Sequence, residues 1–150
     1  MTEGGSMMKK FIYATDGSDI AKKAGQVAAE WMEKWPEAEL LMLYVIPQIL
    51  PDAVYPYWSM MPGEAAKDNA HADEIERQAR EELFQNCNDR VRFEVVIGDP
   101  ASIICDEAKD LPADLIFMGS HGRGAVDRLL LGSVSYRVLH RASVPVLIVK

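Results

Sequence analysis

The stretch Asp114 to Val134, DLIFMGSHGRGAVDRLLLGSV, decides the fold. Leu115, Ile116, Phe117 and Met118 form an apolar run that predicts a buried strand. The run stops at Gly119, and Gly122 and Gly124 follow within six residues. Gly132 stands directly before Ser133, where a helical pattern begins. Glycines let a ligand come close to bare peptide N–H groups. A helix start carries N–H groups with no partner inside the helix, and a Ser there adds a hydroxyl. The positive end of the helix dipole points the same way. Strand, glycine-rich loop and helix start together make a place for a phosphate. The plainer alternative is a turn that holds no ligand.

Working outward, the chain alternates strand and helix. Lys9 to Ala14 reads as a first strand, stopped by Thr15-Asp16-Gly17-Ser18. Asp19 to Trp35 carries Ile20, Ala24, Val27, Ala28, Trp31 and Trp35 at helical spacing, and Pro36 ends it. Glu39 to Ile46 is almost continuously apolar, as expected of a parallel strand covered on both faces. Pro47 to Gly63 holds four prolines together with Tyr55, Tyr57, Trp58, Met60 and Met61. The prolines argue against helix or strand. Such a long connection serves as a surface loop, a lid near a ligand or a contact to a partner chain. Glu64 to Asn88 is expected to be one helix, with His71, Ile75, Ala79, Leu83 and Cys87 at steps of four. Val91 to Ile97 is a third strand, and Asp99-Pro100 opens a helix to Asp110. Ser133 to Arg141 is the last helix, and Val144 to Val149 the last strand. Alternation with short connections implies an α/β fold, an open doubly wound parallel sheet with helices on both faces. Ligands in such sheets sit beyond the carboxyl ends of the strands, where the winding reverses.

Composition limits the partners. At 150 residues the chain suits one domain, expected over residues 9–150, with residues 1–8 read as a flexible leader. A net charge of −7 and the lack of a basic stripe argue against nucleic acid. No apolar run approaches the ~20 residues that cross a bilayer, so no membrane partner is expected and the cytoplasm is the default. Cys87 and Cys105 are too few and too far apart for a zinc site or a CxxC motif. His71, His121 and His140 show no metal-ligand spacing. His71 reads as an edge-of-core residue.

Gly119, Gly122, Gly132 and Ser133 spell G-x2-G-x9-G-S. That signature, with Thr15-Asp16-Gly17-Ser18 after the first strand and Pro145-Val146-Leu147-Ile148-Val149 at the end, resembles the nucleotide-binding branch of the universal stress protein family. The resemblance covers nearly the whole chain. It implies five strands in the order 3-2-1-4-5 and ATP as ligand, and Mg²⁺ is the usual companion of such phosphates. It also implies a homodimer through Val144–Val149. The site it implies comprises Ala14, Thr15, Asp16, Val45, Met118, Gly119, Ser120, Gly122, Arg123, Gly132, Ser133 and Val134. Gly119 and Gly122 let the loop fold over the phosphates, while Gly132, Ser133 and Val134 present N–H groups. Arg123 either touches a phosphate or faces solvent. Asp16 either caps the first helix or lies by the adenine or ribose, and Val45 marks the end of strand two, whose backbone reads adenine.

Several enzyme signatures are missing. There is no G-x4-G-K-[ST], and the loop reads G-x-x-G-x-G, not G-x-G-x-x-G. Nothing in the sequence orients His121 as a base or stabilises a leaving phosphate. The expectation is a regulatory nucleotide-binding protein with slow or no hydrolysis. The alternative is a family member that works only as a protein-interaction module. A flavin carrier or phosphotransfer receiver on the same scaffold is disfavoured. The loop after strand one has few hydroxyls for a flavin phosphate, and that strand ends in a single Asp.

Overall fold

The computed structural model describes residues 8–47, 62–122 and 131–150. Residues 1–7 of the expected leader, residues 48–61 of the proline-rich connection, and Arg123 lie outside the described residues. At its two ends that connection is regular after all, Pro47 closing a strand and Pro62 and Gly63 opening a helix, where a missing N–H costs no helix bond. The strands are β1 (Lys10–Thr15), β2 (Glu39–Pro47), β3 (Val91–Gly98), β4 (Leu115–Gly119) and β5 (Val146–Val149). The helices are α1 (Asp19–Lys34), α2 (Pro62–Gln78), α3 (Pro100–Asp110) and α4 (Ser133–Arg141). All strands are parallel, in the order β3-β2-β1-β4-β5. This is the expected doubly wound sheet with the expected strand order.

Alternate residues of each strand serve opposite faces, because strand side chains alternate with period two. Phe11, Tyr13, Met42 and Phe117 pack with Ala24, Ala28 and Met32 of α1 and with Ala72 and Ile75 of α2. Phe11, Trp31 and Phe117 meet edge to face, with centroids 5.5–6.1 Å apart. On the other face Ile12, Leu43, Ile116 and Met118 pack with Ala101 and Ile104 of α3 and Val138 of α4. Burial on both sides explains why the strands read as unbroken apolar runs.

Two details depart from the sequence reading, and a third feature, at Arg90, had no counterpart in it. The second helix is not uniform to Asn88. After Gln78 a π-helical turn covers Ala79–Leu83, closed by Phe84 N–H on Ala79 O at 3.0 Å, and a 3-10 turn follows at Asn88–Arg90. One extra residue in a turn rotates the apolar stripe by about 100°. Phe84, which the four-step pattern skipped, thereby becomes fully buried, and Leu83 is only half-buried. β5 starts at Val146 and not Val144, since Pro145 lacks an N–H and contributes only its carbonyl, to Ile116 N at 3.0 Å. Finally, Arg90 donates to Met32 O, Trp35 O and Ala38 O at 3.1, 3.2 and 2.8 Å. It thus meets carbonyls at the end of α1 and in the turn just beyond it.

α1 presses close to the sheet through Gly25. A Cβ there would lie 2.6 Å from Leu83 Cδ1 and 2.8 Å from Tyr13 Cζ. The Tyr13 hydroxyl donates to Ala21 O at 2.6 Å, and burial pushes its pKa up to about 12. An unfolded tyrosine ionises near its ordinary value of about 10. As pH rises from there toward the folded value, the unfolded state loses its proton first, so stability falls. We expect Tyr13 to account for a loss of up to about 2–3 kcal/mol across that window. Urea unfolding from about pH 8 to about pH 12 checks this. Tyr13→Phe should show a shallower decline, and parallel declines would disprove the assignment.

Candidate functional site

The winding reverses between β1 and β4, and the carboxyl ends of β1, β2 and β4 open there into a cleft of about 470 Å³. The first turns of α3 and α4 complete its walls, through Pro100 and Ile104 and through Ser133, Val134 and Ser135. A second hollow beside Tyr13 and Lys22, on the other face of the sheet, measures about 20 Å³. That is room for about one water, so the larger cleft is the one that can take a ligand.

At the end of β1 the chain makes a tight, self-bonded corner. Gly17 has φ 80°, the one positive value among the described residues. Its N–H donates to Thr15 Oγ1 at 3.1 Å, and Ser18 N–H donates to Asp16 Oδ1 at 2.9 Å. Ser18, not Asp16, caps α1, accepting from Ala21 N at 3.2 Å. The capping role considered for Asp16 therefore belongs to its neighbour. Asp16 itself lines the cleft, and a Cβ on Gly122 would lie 2.7 Å from its Oδ2.

The glycines have more varied duties than the sequence suggested. A Cβ on Gly119 would lie 2.6 Å from Ile20 Cγ2, 3.1 Å from Ile20 C and 3.2 Å from Ala21 N. This glycine admits the first turn of α1 against β4, where the sequence reading had it free the loop for phosphate. Gly122 makes room for the Asp16 carboxylate. Gly132 is the N-cap of α4, with φ −62° and ψ 157° and no side-chain cap. Ser133 is the first helical residue and does not cap the helix. Gly132 N–H donates to Ser120 O at 2.7 Å, and Ser135 Oγ donates to Gly119 O at 2.8 Å. These two bonds fix the head of α4 against the end of β4.

Ser120 is buried, and its N–H donates to Val149 O of β5 at 2.8 Å. Its hydroxyl meets His121 Nδ1 at 2.8 Å. Around the mouth, Arg137 of α4 holds Asp99 with both guanidinium arms, each at 2.7 Å. Asp99 also caps α3, accepting from Ser102 N at 3.1 Å. The Arg137 guanidinium holds the Asp99 carboxyl well below the usual carboxylate range. Asp16 is the one carboxylate among the described lining residues, and none of those residues is Lys or Arg.

The sequence model of the universal stress protein family matches residues 7–150. The chain belongs to that family. It is 31% identical over 150 residues to universal stress protein MJ0531 of Methanocaldococcus jannaschii, covering 98% of this chain and 85% of the relative. Among solved structures, UspA from Lactobacillus plantarum matches with a TM-score of 0.82 at 26% identity, covering 97% of this chain and 100% of that one. A universal stress protein in complex with cAMP matches with a TM-score of 0.72 at 26% identity, covering 97% and 99%.

In this universal stress protein, ten of the twelve residues expected from the sequence gather around the one cleft: Ala14, Thr15, Asp16, Val45, Met118, Gly119, Gly122, Gly132, Ser133 and Val134. Ser120 stands behind the wall, and Arg123 lies outside the described residues. The sequence reading missed His121 and the apolar contributions of Leu43, Tyr44, Pro100 and Ile104. Position could have signalled them. His121 lies between two of the site glycines, Leu43 and Tyr44 lie in the carboxyl half of β2, and Pro100 and Ile104 lie in the first two turns of α3. His71, read as an edge-of-core residue, is half-buried and stacks edge-on to Tyr44 at 6.0 Å.

The glycine geometry separates stability from site shape. Gly119→Ala meets backbone atoms that cannot swing aside, and should cost about 1–3 kcal/mol. Gly122→Ala meets only the tip of the Asp16 side chain, and should change stability by less than about 1 kcal/mol. Denaturant unfolding of both variants checks this; equal losses would contradict the packing described.

Proposed function

We propose that this universal stress protein binds an adenine nucleotide, ATP carried with Mg²⁺, as a regulatory ligand. The observation behind this reading is the meeting, in one cleft, of the α4 head without a side-chain cap and the Asp16 carboxylate at the end of β1. A nucleotide needs both. Backbone N–H groups at a helix start suit its phosphates. A carboxylate accepts from ribose hydroxyls or an adenine amino group. Val45, at the end of β2, adds backbone groups beside the apolar wall. The volume lies in the usual range for small-molecule sites. The solved relative in complex with cAMP supports an adenine nucleotide as the ligand class. Among the described residues no group of three or more His, Cys, Asp or Glu forms a metal cage. Mg²⁺ would then arrive on the phosphates, its usual manner of binding beside nucleotides.

With a single carboxylate among the described lining residues, we infer slow or no hydrolysis. The nucleotide would act by favouring one state of the protein over another. The free thiols Cys87 and Cys105 suit the reducing cytoplasm that this reading assumes. Calorimetric titration of nucleotide-stripped protein with MgATP should give binding. Gly132→Val starts with a Cβ 3.2 Å from His121 Cα and should weaken it at least about tenfold. Failure of ATP, AMP and cAMP to bind at about 1 mM would overturn the reading.

The same reading includes a two-fold dimer through Val144–Val149. β5 pairs with β4 on one side only, so its outer edge is available among the described residues. An open apolar edge is a liability that self-pairing removes. Sedimentation at micromolar concentration should show a dimer, and a monomer throughout would refute it. A second reading, a protein-interaction module of the same family, draws on Val95 and Ile97, which are 40% and 66% exposed on the β3 edge. The nucleotide titration separates the two.

A further inference from the structure

Helix α4 divides its surface among its neighbours. Ser135 and Val138 are buried against the sheet. Arg137 and Arg141, one turn apart, both reach α3, the first at Asp99 and the second at Ser102 Oγ, 2.9 Å away. At about 100° per residue, Leu139 and Tyr136 both fall more than about 130° round the helix from Arg141. They are 42% and 56% exposed. Across the sheet α3 packs on β2 and β3, whereas α4 packs on β5. The flank turned away from α3 therefore leans over the margin that β5 forms.

β5 is half-buried along its whole length, and Val146–Val149 holds no charge, proline or glycine. Such features are what keep an edge strand from pairing with another chain. β3, at the opposite margin, carries the paired charges Arg92 and Glu94. A partner that suits the β5 margin must bring a strand for β5 and, beside it, an apolar surface for α4. A second copy brings both by symmetry. When an edge strand pairs antiparallel with its own copy, the two-fold axis runs through the sheet from face to face. Like faces then stay together, and the two α4 helices stand on one side, flank to flank across the axis. We propose that Tyr136 and Leu139 form the helical half of a two-fold interface with a second copy of this chain, β5 being the other half. This rests on the dimer reading and adds to it the contact that a four-residue strand lacks, since so short a seam is marginal by itself. The opposite end of the same helix surface, at Ser133 and Val134, lines the cleft, so seam and cleft are built on one helix.

Sedimentation of three proteins tests the assignment: wild type, the pair Tyr136→Lys and Leu139→Lys, and the pair Val95→Lys and Ile97→Lys. All four positions are exposed, and circular dichroism checks the fold of each variant. The α4 pair should raise the dimer dissociation constant at least about one-hundred-fold. The β3 pair removes as much exposed apolar surface at the other margin and should dimerise like wild type. In a Cys87→Ala and Cys105→Ala background, Leu139→Cys should join chain to chain with a short bis-maleimide, which requires the two flanks to meet. That readout does not need the lysine variants to fold. An α4 pair that dimerises like wild type, an equal loss in the β3 pair, or a dimer that gives no cross-link would each overturn the proposal. A wild type that is monomeric throughout the micromolar range overturns the dimer reading itself, which is a different result.

Discussion

The direct pairing of β1 with β4 is the constraint on which the rest of the molecule depends. Phe11, Ile12 and Tyr13 lie opposite Leu115, Ile116 and Phe117. The two strands are parallel, so both end on the same side of the sheet. From there the chain departs toward opposite faces, α1 against the Phe11 side and α4 against the Ile12 side. That divergence opens the cleft and brings Asp16 and Gly132 to it. The missing Cβ of Gly119 lets the first turn of α1 lie flush on the end of β4.

Local pattern carried much of this fold. The apolar runs of β1, β2 and β4 and the helical spacing of α1 were legible because burial dictates residue type there, and the Asp99-Pro100 start of α3 because capping does. Strand order was not, since alternation of strand and helix allows several orders; the family signature supplied it. Where the reading failed, long-range contact was the cause. The π-helical turn at Ala79–Leu83 answers to the burial of Phe84, which no four-residue period encodes. Arg90 drew no reading from the sequence, since its three bonds to α1 and the turn beyond it span more than fifty positions. At the site, the signature located the glycines but not their separate tasks. These depend on Ile20 for Gly119 and on Asp16 for Gly122, both about a hundred positions away.

The cleft treats charge economically. A chain of net charge −7 that is to hold an anion must do so against its own field. Its described lining holds one carboxylate and no Lys or Arg, beside the positive end of the α4 dipole. Arg137 of α4, the helix whose head forms part of the wall, is engaged on Asp99. That pairing fastens α4 to the capped start of α3. Hydrogen bonds of this directed kind select an oxygen by geometry, whereas a lone cation would attract any anion.

Ser120 joins regions that are otherwise separate. Its amide is tied to Val149 on the rim of the sheet, its carbonyl to Gly132 at the helix head, and its hydroxyl to His121. Rim and interior thus share one rigid knot, three bonds from a single residue. A shift of the outermost strand would therefore be passed through one residue to the helix head and the imidazole.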